Sequence, residues 1–123
     1  MTKYVVAVVV ALFSNMAHAA GCDTEAASRV WAKCSACHSA EPGVAGMLGP
    51  NLYGLMGRKA GKLDGYSYSP AMQKADFTWT PDMLKVFIKS PQEAVPGTRM
   101  PFSGLKEPKD REAIACYLSP RHP

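Results

Sequence analysis

Residues 34–38 read Cys34-Ser-Ala-Cys-His38, and this pentapeptide dictates what the rest of the chain has to build. Two thiols three positions apart on a helical turn can each add across a vinyl group of one porphyrin, and the adjoining imidazole reaches the iron from the same side. Cys34 and Cys37 are therefore expected to hold one haem c covalently, with His38 as an axial ligand. Cys-x-x-Cys alone would also suit zinc or thiol–disulfide exchange. A structural zinc site needs four ligands, and downstream of residue 19 the chain adds only the distant Cys22, Cys116 and His122, with no second closely spaced pair. A thioredoxin-type pair would follow a buried strand, and no strand pattern precedes Cys34.

Upstream, Lys3, an unbroken apolar run from Tyr4 to Phe13 and the small-x-small site Ala17-His18-Ala19 form the pattern of a secretory signal peptide over 1–19. The run is about half the roughly twenty residues that a spanning helix needs, which disfavours a permanent anchor. Ala19-Ala20-Gly21-Cys22 leaves a second possibility open, a lipid on Cys22. Against that, Ala19 stands where a large aliphatic residue is usual, and Ser14, Asn15 and His18 separate the site from the apolar run. The expected compartment is the periplasm, reached by export across the inner membrane.

What remains, residues 20–123, is a single domain so small that burial alone is marginal, and a covalent haem would supply the missing core. The net charge of +4 falls once Lys3 is removed and two haem propionates are added, a balance that does not suggest nucleic acid. Ten Gly and ten Pro divide the chain into short helices and long irregular stretches. Asp23 and Thr24 cap a first helix running to about Lys33, with Val30 and Trp31 as its bulk. From Pro42 to Gly65 there are seven glycines and no sustained periodicity, the composition of a loop wrapped around an internal partner.

Ser69-Pro70 and Thr80-Pro81 each place a cap before a proline at the first helical position, opening a short helix to about Ala75 and a longer one ending at Ser90-Pro91. In the longer one Leu84, Phe87 and Ile88 form an apolar stripe. A loop is expected from Gln92 to Lys106, then a last helix from about Lys109 to Leu118 carrying Ile114, Tyr117 and Leu118 on one face with Cys116 beside them. The predicted fold class is all-α, three to five short helices and long loops around one haem, without repeats or a second domain.

The iron's other axial position decides between an electron carrier and a ligand-binding protein. His122 is next to last in the chain, where fraying makes a poor ligand. Among Met47, Met56, Met72, Met83 and Met100, only Met100 lies in a non-helical segment stiffened by prolines on both sides, Val95-Pro-Gly-Thr-Arg-Met-Pro-Phe102. A thioether there can be presented without melting a helix, whereas most methionines fill cores.

Together with Cys34-Ser-Ala-Cys-His38, the stretches Gly49-Pro-Asn-Leu-Tyr-Gly-Leu-Met-Gly-Arg-Lys-Ala-Gly61, Gly65-Tyr-Ser-Tyr-Ser69, Thr78-Trp79-Thr80 and Pro96-Gly-Thr-Arg-Met100 resemble class I cytochrome c. The likeness is greatest to the mitochondrial type and its soluble bacterial relatives, and it covers nearly all of the chain from the first helix to Leu118. It implies Cys34 and Cys37 as thioether positions, His38 and Met100 as the iron ligands, and the Pro50 carbonyl as acceptor for the free ring N–H of His38. It also implies Arg58, Tyr68, Trp79 and Thr98 as propionate partners.

Departures from the family pattern are Phe87 for a tyrosine, Met72 for a buried asparagine and Ala27 for a glycine. Gln92, Glu93 and Ala94 replace lysines and an aromatic ahead of the methionine loop, which thins the basic docking ring to Lys33, Arg99 and Lys106. Cys22 and Cys116 are extra to haem binding. They suggest a disulfide between elements that pack together in this family, with a lipidated Cys22 or two separate thiols as alternatives.

The function implied is one-electron transfer by a monomeric carrier, not catalysis. Its partners would be membrane or periplasmic redox proteins: a cytochrome bc1-type donor, an oxidase, a reaction centre or a dehydrogenase. The competing readings are a haem peroxidase or gas sensor with a labile methionine, and a membrane-tethered redox subunit.

Overall fold

A computed structural model describes residues 21–120, so the expected signal peptide, its cleavage site and His122 lie outside the described residues. Asp23 starts the first helix by accepting the Ala26 N–H at 2.9 Å, and α1 runs over Thr24–Cys34. The other four helices, α2 (Pro70–Lys74), α3 (Pro81–Lys89), α4 (Pro91–Ala94) and α5 (Pro108–Leu118), all begin with proline. Proline suits that position because its φ is already helical and the N–H it lacks would have had no partner. Ser69 and Thr80 complete the starts of α2 and α3 by accepting the Met72 and Met83 N–H groups, both at 3.1 Å.

The fold is all-α, as the sequence predicts, but part of the stretch expected to be loop is helical. Pro91 lacks the N–H needed to extend α3 and so ends it, yet the same residue opens α4. The Ser90 carbonyl accepts from Glu93 and Ala94 at 3.1 and 3.0 Å, and Val95 closes the turn on Pro91 at 2.9 Å. Among the described residues the β pairing is limited to one isolated antiparallel bridge between Lys59 and Thr78.

α5 packs against both α1 and α3. At the α1–α5 crossing the contact is made by Ala26, Ala27 and Ala113, small side chains that let the two backbones approach. Val30 and Leu118 flank them, fully buried. The partly buried Asp110 carboxylate accepts from Arg29 across the crossing at 2.7 Å. Cys22 and Cys116 are paired as a disulfide in the structure, with Cα atoms 5.6 Å apart at a sequence separation of 94. The α3 stripe of Leu84, Phe87 and Ile88 is buried against α5 and joins Trp79, Leu55, Val95 and Leu105 in one core cluster.

The chain after Val95 is brought back onto the end of α3 at Gly104. A Cβ there would collide with the Lys89 carbonyl, and the φ of +112° also requires glycine. Leu105 then donates to the Ile88 carbonyl at 2.7 Å, and the Lys106 ammonium caps the Lys89 carbonyl at 3.0 Å.

Candidate haem site

The end of α1 carries the attachment motif. The Cys37 and His38 N–H groups both return to the Cys34 carbonyl, at 3.0 and 2.9 Å, which tightens the chain just past the helix and groups the three side chains. Cys34 and Cys37 are free thiols, whereas Cys22 and Cys116 are paired. Burial pushes the Cys34 thiol above its ordinary range, and the nearby Lys33 ammonium partly offsets that. Both sulfurs therefore remain available for thioether formation.

His38 is buried, and its Nδ1 lies 2.7 Å from the Pro50 carbonyl oxygen. A carbonyl only accepts, so Nδ1 carries the proton and Nε2 is left with a bare lone pair. Burial holds the imidazole pKa below the usual histidine range, partly countered by the bond to Pro50, and the ring is neutral as a ligand must be. Gly49 makes the approach possible. A Cβ at that position would collide with the imidazole, and the Gly49 N–H donates to the Cys37 carbonyl at 2.8 Å. Two free thiols and an oriented, unprotonated imidazole nitrogen fit a covalent haem.

The wrapping loop is held by Arg58 and by two side chains that sequence reasoning did not single out, Asn51 and Tyr66. Asn51 donates to the Glu41 and Val44 carbonyls at 2.7 and 2.9 Å and accepts from the Tyr53 N–H at 2.8 Å. Tyr66 donates to the Leu48 carbonyl at 2.7 Å. Arg58 bonds the Asn51 and Tyr53 carbonyls at 2.8 and 2.7 Å, and its guanidinium also meets the Tyr68 side chain. No local spacing marks these residues as fasteners; an asparagine and a tyrosine among glycines are the only signal.

Arg58 and Trp79 meet through the backbone, where the Trp79 N–H donates to the Arg58 carbonyl at 2.8 Å. Tyr68 is half-buried, and burial raises its phenol pKa, with the Leu63 backbone and the Arg58 guanidinium opposing, so it stays a protonated donor at neutral pH. Tyr68, Met100, Leu52 and Phe102 pack partly buried against the same core cluster that contains Trp79 and Phe87. Phe87 stacks edge-on to Trp79 at 5.2 Å, so the position expected to have lost a hydroxyl is filled by aromatic packing. Thr98 is buried; its carbonyl accepts from Gln92 at 2.7 Å and its N–H donates to Val95 at 3.0 Å, which shapes the segment that presents Met100.

A family profile described as cytochrome c matches residues 24–120, from the start of α1 past the end of α5. The chain belongs to the cytochrome c family. It is 43% identical over 97 residues to cytochrome c2 of Rhodoblastus acidophilus, covering 79% of this chain and 91% of that protein. Cytochrome c-550 of Nitrobacter winogradskyi is 40% identical over 97 residues, covering 79% and 89%. Cytochrome c of Arabidopsis thaliana is 41% identical over 86 residues, covering 70% and 77%. A cytochrome c carries covalently attached haem c and transfers electrons; it is not an enzyme.

Proposed function

We propose that this cytochrome c is a periplasmic, diffusing one-electron carrier whose haem iron is held by His38 Nε2 and the Met100 sulfur. The observation that carries the reading is the 2.7 Å contact between His38 Nδ1 and the Pro50 carbonyl, which orients the ring and leaves Nε2 free to ligate. Bound haem supplies a one-electron couple, and a neutral His/Met pair favours its reduced state relative to harder ligands. The protein's part is to keep coordination constant and to exclude water. Pro101 after Met100, the Thr98–Val95 turn and the Phe102 N–H bonded to the Met100 carbonyl at 2.9 Å stiffen the segment that presents the thioether.

Cys34 and Cys37 form the thioether links in this reading. Tyr68, Thr98, Trp79 and Arg58 pair the propionates, so that two carboxylates are not left bare in a low-dielectric pocket. Residues 1–19 direct export, and the Cys22–Cys116 bond forms in the oxidising compartment, which removes Cys22 as a lipid acceptor and releases the carrier from the membrane. That compartment is supported by the leader pattern and by likeness to bacterial proteins named cytochrome c2. Its partners are redox proteins: a bc1-type complex or a dehydrogenase as donor, and an oxidase or reaction centre as acceptor. Lys33, Arg99 and Lys106 steer the encounter.

Absorption of the ferric holoprotein at neutral pH tests the ligand set. We expect a weak far-red methionine-to-iron band that Met100→Ala abolishes while covalent haem is retained. Absence of the band from the unaltered protein would overturn six-coordinate His/Met ligation. An intact mass for residues 20–123 plus haem, two hydrogens lighter than the reduced chain plus haem, is expected for the cleaved and bridged form.

A further inference from the structure

Four cysteines in this chain must be sorted between two chemistries. Thioether formation adds the S–H of Cys34 and of Cys37 across one vinyl group each; no electrons are lost, and both sulfurs must be reduced. The Cys22–Cys116 bond is an oxidation, in which two thiols give two protons and two electrons to an exported oxidase whose own disulfide becomes a dithiol. In an exported carrier both happen in one compartment, and a chain without tertiary structure sends the oxidation to the wrong pair. Cys22 is 12 and 15 positions from Cys34 and Cys37 but 94 from Cys116. Loop closure becomes less favourable as about the three-halves power of loop length, so an open chain prefers either short pairing about fifteen- to twentyfold.

The fold reverses that preference. α1 occupies Thr24–Cys34, and at about 1.5 Å per residue its two ends lie about 15 Å apart. Cys22 sits just before one end and Cys34 is the last residue of the other, whereas a disulfide needs Cα atoms within about 7 Å. The Cys34 Sγ stays with the helix's own last turn, 3.6 Å from the Val30 carbonyl, and Cys37 lies on the turn just beyond. At the opposite end the Cys116 Cα is brought to 5.6 Å from that of Cys22. An eleven-residue helix is marginal by itself in water, so α1 keeps these thiols apart only while docked on α5. Ala26, Ala27 and Ala113 make that docking, and the Arg29–Asp110 pair at 2.7 Å fixes it. None of these residues belongs to the wrapping loop or to the Met100 segment.

We propose that docking of α1 on α5 sorts the cysteines: it closes before thioether formation, sets Cys22 against Cys116 for the oxidase, and so keeps Cys22 from consuming the Cys34 and Cys37 thiols. The proposal rests on the exported, bridged form of the carrier. It places a thiol oxidation ahead of haem attachment in the maturation of this chain, at a site a helix length away from the attachment motif. It also gives the second cysteine pair a role beyond stability, because a chain whose crossing stays open loses attachment sulfurs to Cys22.

The test follows the full chain, expressed and exported in cells limited for haem, with thiols alkylated at harvest. Mass spectrometry then maps the cysteine pairings in the haem-free and the haem-bearing protein. We expect the Cys22–Cys116 bond in both. Ala27→Leu overpacks the crossing, and Arg29→Ala removes the ion pair more mildly. Each should raise Cys22–Cys34 and Cys22–Cys37 bonds in the haem-free chain and lower the yield of covalent haem, by about fivefold for Ala27→Leu. Adding Cys22→Ser with Cys116→Ser should restore the yield of at least the Arg29→Ala variant, because no competing thiol remains. A Cys22–Cys116 bond present in the holoprotein but absent from the haem-free chain would overturn the proposal. So would a loss of yield that the two serines leave undiminished in both variants. A holoprotein with Cys22 and Cys116 unbridged would sink the bridged form itself, and the proposal with it.

Discussion

At the α1–α5 crossing, alanines, Val30 and Leu118 close over each other, an ion pair bridges the helices and a disulfide ties them. In the loop from Pro42 to Gly65 only Leu55 and Ala60 are buried, and side-chain bonds to backbone carbonyls hold the shape. The first region supplies its own apolar core. The second buries little apolar surface of its own, so its shape rests on those bonds and on the covalent haem that the family carries. The His38–Pro50 bond lies where the two meet, with the histidine just past α1 and the proline inside the loop. Haem attachment therefore joins a half rich in buried apolar contacts to a half held largely by polar bonds.

Removing the disulfide should have the largest effect of the three changes considered and should fall on the first region alone. With the cysteines at a sequence separation of 94, Cys22→Ser with Cys116→Ser should lower stability by about 2–5 kcal/mol, read as a lower urea midpoint. The far-red band should be unchanged, because neither residue lies in the attachment motif. Loss of the band in the folded double variant would break the separation between the halves.

Gly49→Ala should act at the junction. The added methyl collides with the His38 imidazole, and moving the ring or the loop should cost about 1–3 kcal/mol. The far-red band should shift or weaken, and amides in the loop should exchange faster while those of α5 hold their protection. Full stability with an unaltered spectrum would show that the approach of Gly49 to the ring is not a constraint.

The two regions also differ in how far the sequence reveals them. The attachment site is legible because its chemistry is contiguous, and the helix starts are legible because proline after Ser69 or Thr80 is a local signal with a local cause. α4 escaped because Pro91 was read only as a stop, when the same missing N–H also permits a start. Pro50, Arg58, Tyr68, Trp79 and Thr98 could be named only through family resemblance, since their roles depend on groups far away in sequence. Arg29 and Asp110, 81 positions apart, and the fasteners Asn51 and Tyr66 carried no pattern at all. Nor can any spacing rule say that Leu48 faces solvent. Such pairings are set by tertiary geometry, which local periodicity does not encode.

Asn51 should give the smallest effect and the finest test of the loop. Its amide makes two donated bonds and one accepted bond, but the residue is partly exposed, so water replaces much of what Asn51→Ala removes. A loss of about 1–2 kcal/mol is expected, with faster hydrogen exchange confined to 41–53 and an unchanged far-red band because the Pro50 carbonyl keeps its own partner. Asn51→Asp sharpens the point. A carboxylate can still accept from Tyr53 but cannot donate to the Glu41 and Val44 carbonyls, and at neutral pH it sets a negative charge against both. The Asp variant should therefore be no more stable than the Ala variant. If it matched the unaltered protein, the two donated bonds would contribute nothing and the loop would be held by some other set of bonds.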